Sequence, residues 1–474
     1  MRSEFNIKIV IIISTFLLGL IIFKSLQNDY IFKNTLGRIA FTYENISKKN
    51  TLKPEVDIIK TQKPYTTFDE SNFIHWDVKF FKYMSENGYG KDTTWPGEGT
   101  HAFSPLFPFI WRVSHLPAKF IVILNYLLFA FSLVILSNLF LSSEHYGKTD
   151  RILLFTLALT FPSVFCFYLP YCESTFIFTF SIALWGLFKK KMWLFYIGMV
   201  LFALSRPSFL IVGAAIICTD VYFLVLNKDF KSFAKELGIK ILPIAVGVLI
   251  TFFIQYLKSG NFFKMFEVHS MFWQHVFQYP KTISDWSTEG YGMNIFAMIC
   301  VAIPAGIFMF TYFLKNYEAR KVPQVSLFSA ETVKQYLFGL SIVYFVGNFL
   351  FVFFHQGGNL NGLHRYILVS PFFYIFLFIL APRIRTMKWI LELGILIPIF
   401  FIGYLFLVTG PYQHKITFLD AGFFLLVLTS IYFVLFDRLK IQVKISLLVL
   451  IVLCNTIWLT YLYNHFLNNS FIIA

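Results

Sequence analysis

Apolar runs of about 20 residues recur along almost the whole chain, and each has the length of a helix that crosses the hydrocarbon core of a bilayer. No soluble architecture accommodates that pattern. Of the 474 residues 57% are hydrophobic and only 14% charged, with a mean hydropathy of +0.67, too little polar surface to cover domains of this length. Soluble enzymes, DNA-binding modules and disordered scaffolds are thereby excluded. The excess of 40 Lys+Arg over 25 Asp+Glu gives a net charge of +15. In a chain of this kind basic residues gather in cytoplasmic loops for topological reasons, so no nucleic-acid partner is inferred.

The pattern predicts thirteen spans, at residues 7–24, 117–142, 151–169, 173–188, 192–204, 207–226, 239–257, 293–314, 335–354, 366–381, 389–408, 416–436 and 445–464. Arg2 and Lys8 precede Ile9–Phe23 as in a signal peptide, but no small-x-small cleavage site follows at 24–28, which predicts an uncleaved first helix. With the N-terminus cytoplasmic, alternate loops carry Lys148 and Arg151, Lys189 to Lys191, Lys228 to Lys240, Lys315 to Lys334, Arg383 to Lys388, and Arg438 to Lys444. The opposite short loops carry one cation at most, so the orientation is well determined. The expected class is an all-α polytopic membrane protein, one domain over 1–474. Cys166, Cys172, Cys218, Cys300 and Cys454 lie in or beside apolar stretches without paired spacing, so neither a disulfide framework nor a metal site is expected.

Two extracytoplasmic loops are large, 25–116 and 258–292, and rich in aromatic residues. Phe73, Trp76, Phe80 and Tyr83 recur at helical spacing, which predicts an amphipathic helix over 71–83 lying in the membrane interface with Asp77 at headgroup level. Residues 101–115, broken by Pro105 and Pro108, read as a re-entrant or interfacial segment.

Ionisable residues near membrane depth are costly unless paired or lining a polar cavity, and that cost selects the candidates. Each has a plain reading beside the functional one. Asp77 is either a general base for group transfer or a solvated charge on the polar face of an interfacial helix. Glu173 begins a span, where the helix dipole alone favours a carboxylate. Arg206 is either a ligand for a lipid-linked phosphate or a residue snorkelling to headgroups. His364-Arg365-Tyr366 reads as a second phosphate or sugar contact, or as an interface anchor belt. His101, Trp273 and His355 could each touch sugar or pack a loop, and Trp76 accompanies Asp77. No Walker motif, GxGxxG or HExxH occurs, against an ATP-driven pump, a dinucleotide enzyme or a zincin.

Trp76-Asp77 with Phe80 and Phe81, then Glu86-Asn87-Gly88-Tyr89 and the run from His101 to Pro108, resembles the PIG-V mannosyltransferases of GPI-anchor synthesis and their bacterial relatives. Tyr171-Cys172-Glu173-Ser174 and Ser205-Arg206-Pro207 match further segments of that family, in order, over 70–210; beyond 210 only the layout and Arg365-Tyr366 agree. Departures are Phe103-Ser104-Pro105 where the family has Phe-Phe-Pro, and Cys172 where it has serine. The resemblance implies a GT-C glycosyltransferase fold, a polyprenyl-phosphate sugar as donor, and Asp77 as the acidic catalytic residue of the first outer loop. It implies an inverting, metal-independent hexose transfer, most simply of mannose, to a glycan or glycolipid acceptor, with no cofactor. In that scheme Arg206 and Arg365 neutralise the departing phosphate while Glu173, His101 and Trp273 shape the sugar pocket. Richness in Lys, Asn, Ile and Phe reads as bacterial, which places the chain in a cytoplasmic membrane with a non-GPI acceptor. The competing reading is a lipid-linked oligosaccharide flippase, which predicts charges at mid-membrane depth in several spans. An O-antigen ligase of different fold predicts its large loop late in the chain rather than early.

Overall fold

The computed structural model describes residues 2–28, 31, 68–90, 95–141, 146–272, 277–280, 282–285, 291–310, 330–385, 397, 428 and 439–469. The expected spans at 389–408 and 416–436, apart from Ile397 and Leu428, and Trp273 lie outside the described residues. Within them the architecture is all-α, its one β-bridge joining Ser284 to Asn359. Among the described residues six helices are long and apolar enough to cross a membrane, and a bent pair makes a seventh; four shorter apolar helices stand among them.

The helices in chain order are α1 (Arg2–Leu26), α2 (Val78–Asn87), α3 (Leu106–Ser114), α4 (Ala118–Phe140) and α5 (Lys148–Thr160). Then come α6 (Glu173–Phe188), α7 (Met192–Ser205), α8 (Phe209–Asn227), α9 (Phe230–Ser259) and α10 (Lys264–Phe272). The remainder are α11 (Tyr291–Phe296, continued by a π-helical stretch Ala297–Ala302), α12 (Ala330–His355), α13 (Leu363–Ile367), α14 (Pro371–Arg385) and α15 (Ile441–Leu467). Apolar side chains cover the outside: Val10, Ile13, Leu17 and Ile21 of α1, Phe131 of α4, and Leu249, Phe253 and Leu257 of α9 are all exposed. Water would not tolerate such a belt, but lipid does.

Lipid tails are as apolar as leucine, so close packing and polar contacts hold such helices together. Gly198 of α7 lies so near α6 that a Cβ there would stand 2.7 Å from the Ala183 nitrogen, and a Cβ on Gly247 of α9 would stand 2.7 Å from the Val200 carbonyl oxygen of α7. Both positions admit only glycine at this spacing. At the end of the bundle that carries residue 2, buried Lys8 donates to Ser137 Oγ (2.9 Å) and Asn138 Oδ1 (2.7 Å), and Arg151 pairs with Glu4 at 2.8 Å, tying α1 to α4 and α5.

Three expectations are corrected. Residues 71–83 are not one interfacial helix: a 3-10 turn (Glu70–Phe73) ends before a left-handed Trp76 (φ 49°), and α2 starts at Val78. Phe73, Phe80 and Phe81 are buried in the protein, so the aromatic stripe packs inward. The expected span at 151–169 breaks after Thr160, where a 3-10 segment Pro162–Tyr168 turns away by 62°. The span expected from 366 begins at Pro371, which suits a first helical position and disfavours helix at the residue before it. Arg365 and Tyr366 therefore stand on the separate short helix α13. In addition, α9 starts at Phe230, so Lys231, Lys235 and Lys240 are helical rather than in a loop. Lys240 is buried against Asp220 of α8 (2.6 Å) beneath the ring of Tyr336 (4.0 Å), a buried pair between apolar helices that periodicity did not reveal.

Candidate active site

The non-helical stretch from Leu169 to Cys172 needs its backbone groups satisfied in a region without free water. Asn125, an amide in the first half of the apolar α4, donates to the carbonyls of Leu169 (2.6 Å) and Tyr171 (3.0 Å). Phe167 stacks on Phe129 and Tyr168 on Tyr126, fixing the same stretch against α4. Glu173 follows as the first residue of α6 with its carboxylate fully buried. The α13 turn is pinned from three sides: Tyr344 Oη donates to Tyr366 O (3.1 Å), Arg206 Nη1 to Arg365 O (3.4 Å), and His364 N–H to Asn294 Oδ1 (2.9 Å).

These supports converge on an ion-pair cluster drawn from four parts of the chain. Arg365 Nη1 lies 2.8 Å from Asp77 Oδ2, and its Nε donates to Glu173 Oε1. Arg206 Nη1 stands 3.5 Å from the same Glu173 oxygen. Tyr171 lies under the Arg365 guanidinium at 4.6 Å and Tyr366 under that of Arg206 at 4.8 Å. Glu173, Arg206 and Arg365 are almost completely enclosed, whereas the Asp77 side chain keeps 16% of its surface accessible. Two carboxylates and two guanidiniums balance one another, which is what makes ionised groups tolerable at such depth.

The geometry separates the paired readings. Asp77 occupies the cap position of α2 without a capping hydrogen bond, and its carboxylate reaches Arg365 instead of solvent. Arg206 does not snorkel, being only 4% exposed and turned into the protein. His364, buried completely, binds Asn294. Trp76 is half-buried beside Asp77 in the left-handed conformation, a strained one for a bulky residue. His101 lies in a packing role: its Nε2 meets Gly90 O at 2.9 Å, its ring stacks on Tyr89, and Gln255 donates to its carbonyl. Burial holds the His101 imidazole below its ordinary pKa. His355 ends α12, stacked on Phe351 with Nδ1 on the Phe351 carbonyl. Asn125, Asn294 and Asp285 were missed; the signal for the two asparagines is an amide within an apolar run.

An apolar groove of about 310 Å³ runs between α1, α4 and α15, from Phe68 and Phe73 past Gly19 and Tyr463 to Thr15 and Thr456. Phe165 lines it and also packs on the His364 ring. Lys119 borders both this groove and a polar basin of about 770 Å³ that contains Lys82, Arg112 and His115.

No family model matches the chain, and no curated protein matches it. Among solved structures it is similar to ArnT from Cupriavidus metallidurans bound to undecaprenyl phosphate, at 13% identity and a TM-score of 0.48, over 85% of this chain and 74% of that one.

Proposed function

We propose that this chain is a GT-C membrane glycosyltransferase that moves a hexose, in the first instance mannose, from a polyprenyl-phosphate sugar to an acceptor hydroxyl on the extracytoplasmic face. The observation that carries the reading is the partly accessible Asp77 carboxylate held against two enclosed guanidiniums, Arg365 directly and Arg206 through Glu173. Asp77 accepts the acceptor hydroxyl proton as the new C1–O bond forms and the C1–O bond to phosphate breaks with inversion. The phosphate leaves with the bonding electron pair, and Arg365 and Arg206 stabilise its charge, a task that a divalent ion performs in nucleotide-sugar enzymes. Because the resting cluster is charge-balanced, an arriving phosphate competes with Asp77 for Arg365, and the base is released as the donor binds. The apolar groove offers the donor's isoprenoid chain a path from membrane depth to the cluster, with Phe165 and His364 in contact at its wall.

The test is sugar transfer by the purified full-length protein from radiolabelled polyprenyl-phosphate mannose into a lipid extract, with Asp77→Asn alongside. Transfer by the wild type that falls about 100-fold or more in the variant supports the reading. Equal transfer by both would remove Asp77 as the base. The alternative is a flippase, for which the buried Lys240–Asp220 pair between α8 and α9 is a charged contact among the apolar helices that bears on it. Translocation of intact donor without transfer would establish that alternative.

A further inference from the structure

Asn294 joins two residues that no spacing in the sequence connects. Its Nδ2 donates to Asp285 Oδ2 (2.8 Å), and its Oδ1 accepts from both the His364 backbone N–H (2.9 Å) and His364 Nδ1 (2.7 Å). The amide orientation is forced by the backbone end: an N–H only donates, so the group facing it must be the amide oxygen. With Oδ1 facing the ring, the proton of a neutral His364 must sit on Nδ1, which leaves Nε2 unprotonated and without a hydrogen-bond partner in the interior. All three side chains are buried, and the imidazole is crowded by charge from Arg365 on its own turn, Glu173 on α6 and Arg206 between α7 and α8. Asp285 itself belongs to residues 282–285, which are stitched to the turn after α12 by Ser284 N to Gly358 O (3.0 Å) and Leu360 N to Ser284 O (2.8 Å), while Gln278 N donates to Phe354 O (3.0 Å) at the end of α12.

We propose that Asp285, Asn294 and His364 form a positioning relay through which the second large loop sets the place of Arg365. The relay grips α13 at the residue before Arg365 by both backbone and ring, so a shift of residues 282–285 is transmitted to the guanidinium that spans Asp77 and Glu173. His364 supplies shape and a fixed N–H rather than charge, because a third cation beside Arg365 and Arg206 would be repelled. The catalytic consequence rests on the glycosyltransferase reading; the relay itself does not.

Two measurements on the full-length protein keep those apart. Ring ¹⁵N shifts of histidine-labelled protein, assigned with His364→Asn, are expected to show His364 as the neutral Nδ1–H tautomer from pH 8 to 6, with the signature lost in Asn294→Ala. An Nε2–H tautomer, or an imidazolium in that range, would overturn the relay whether or not the protein transfers sugar. In the transfer assay, an asparagine side chain can reproduce the Nδ1–H donor and a glutamine the Nε2 position. His364→Asn should therefore retain at least five-fold more turnover than His364→Gln, and the loss caused by His364→Gln should shrink to less than two-fold when Arg365 is already Lys. The reverse ranking, or an undiminished loss in the Arg365→Lys background, would show that His364 does not act through Arg365. Absence of transfer in the wild type with the Nδ1–H tautomer present would reject the proposed activity and leave the relay standing.

Discussion

Arg365 separates charge from shape at the residue scale. Its planar fork reaches Asp77 with one nitrogen and Glu173 with another, while the face of the guanidinium rests on Tyr171. A lysine ammonium in the same place is a point charge that cannot reproduce that fork. Arg365→Lys should thus preserve thermal stability to within a few degrees while lowering turnover about 100-fold, the scale of losing one oriented donor to a developing anion. Arg365→Ala removes the charge as well and should cost about 3–5 kcal/mol of stability, since two buried carboxylates then share one guanidinium. Thermal unfolding in detergent, run beside the transfer assay, checks both; a fully active Lys variant would mean that positive charge alone suffices. At this scale much of the cluster was legible in the sequence. Asp77, Glu173, Arg206, Arg365 and Tyr366 stand out because ionisable or aromatic groups beside apolar runs are conspicuous, and the structure brings them together. Asn125 and Asn294 were less legible: a neutral amide within an apolar run is a quiet signal, and its importance comes from carbonyls and rings supplied by distant elements; Asp285 lies in a loop, where a carboxyl is unremarkable until its burial is seen.

At the scale of elements, hydropathy located helices well and breaks poorly, because a broken helix and a continuous one bury the same residue types. The kink after Thr160 and the separation of α13 from α14 both fall inside runs that read as single spans, and both serve the site. The stripe of Phe73, Phe80 and their neighbours has helical spacing, yet its partner is protein rather than lipid, a distinction that periodicity does not carry. His101 in the 3-10 turn Glu98–Ala102 is packed against Tyr89 with Nε2 on the Gly90 carbonyl, and this has a pH consequence. Nε2 faces a carbonyl and so carries the proton of the neutral ring, while Nδ1 is buried without a partner, so a second proton has no acceptor. Burial therefore depresses the folded-state pKa below the ordinary value near 6.5. The unfolded chain takes up the proton first, so the contribution of neutral His101 is fully present above about pH 6.5 and is lost as pH falls toward the depressed value, at no more than about 1.4 kcal/mol per pH unit. His101→Gln can keep a donor to Gly90 O without titrating. Wild-type stability should fall more steeply than that of His101→Gln between pH 7 and 5.5; parallel melting curves would sink this assignment.

At the scale of the whole molecule, α1 and α15 are brought side by side with the broken segment of residues 162–168, and the groove between them opens toward the apolar exterior. Nothing in either helix alone marks a groove; it exists because Gly19 leaves a gap at its crossing with α15, where a Cβ would meet only Thr456 Cγ2, at 4.0 Å. If the groove guides the isoprenoid chain of the donor, its effect depends on chain length while the chemistry at Asp77 does not. Gly19→Phe places a ring in the groove, far along the chain path from the carboxylate, and leaves the ion-pair cluster intact. The expected result is a rise of at least ten-fold in KM for a long-chain polyprenyl-phosphate donor, with kcat within two-fold of the wild type. A donor with a short, water-soluble chain should be used equally well by both proteins, because it never occupies the blocked length. Equal KM values for the long-chain donor would assign the groove to ordinary bilayer lipid. A fall in kcat with both donors would instead show that the packing of α1 against α15 is coupled to the cluster through Phe165 and His364.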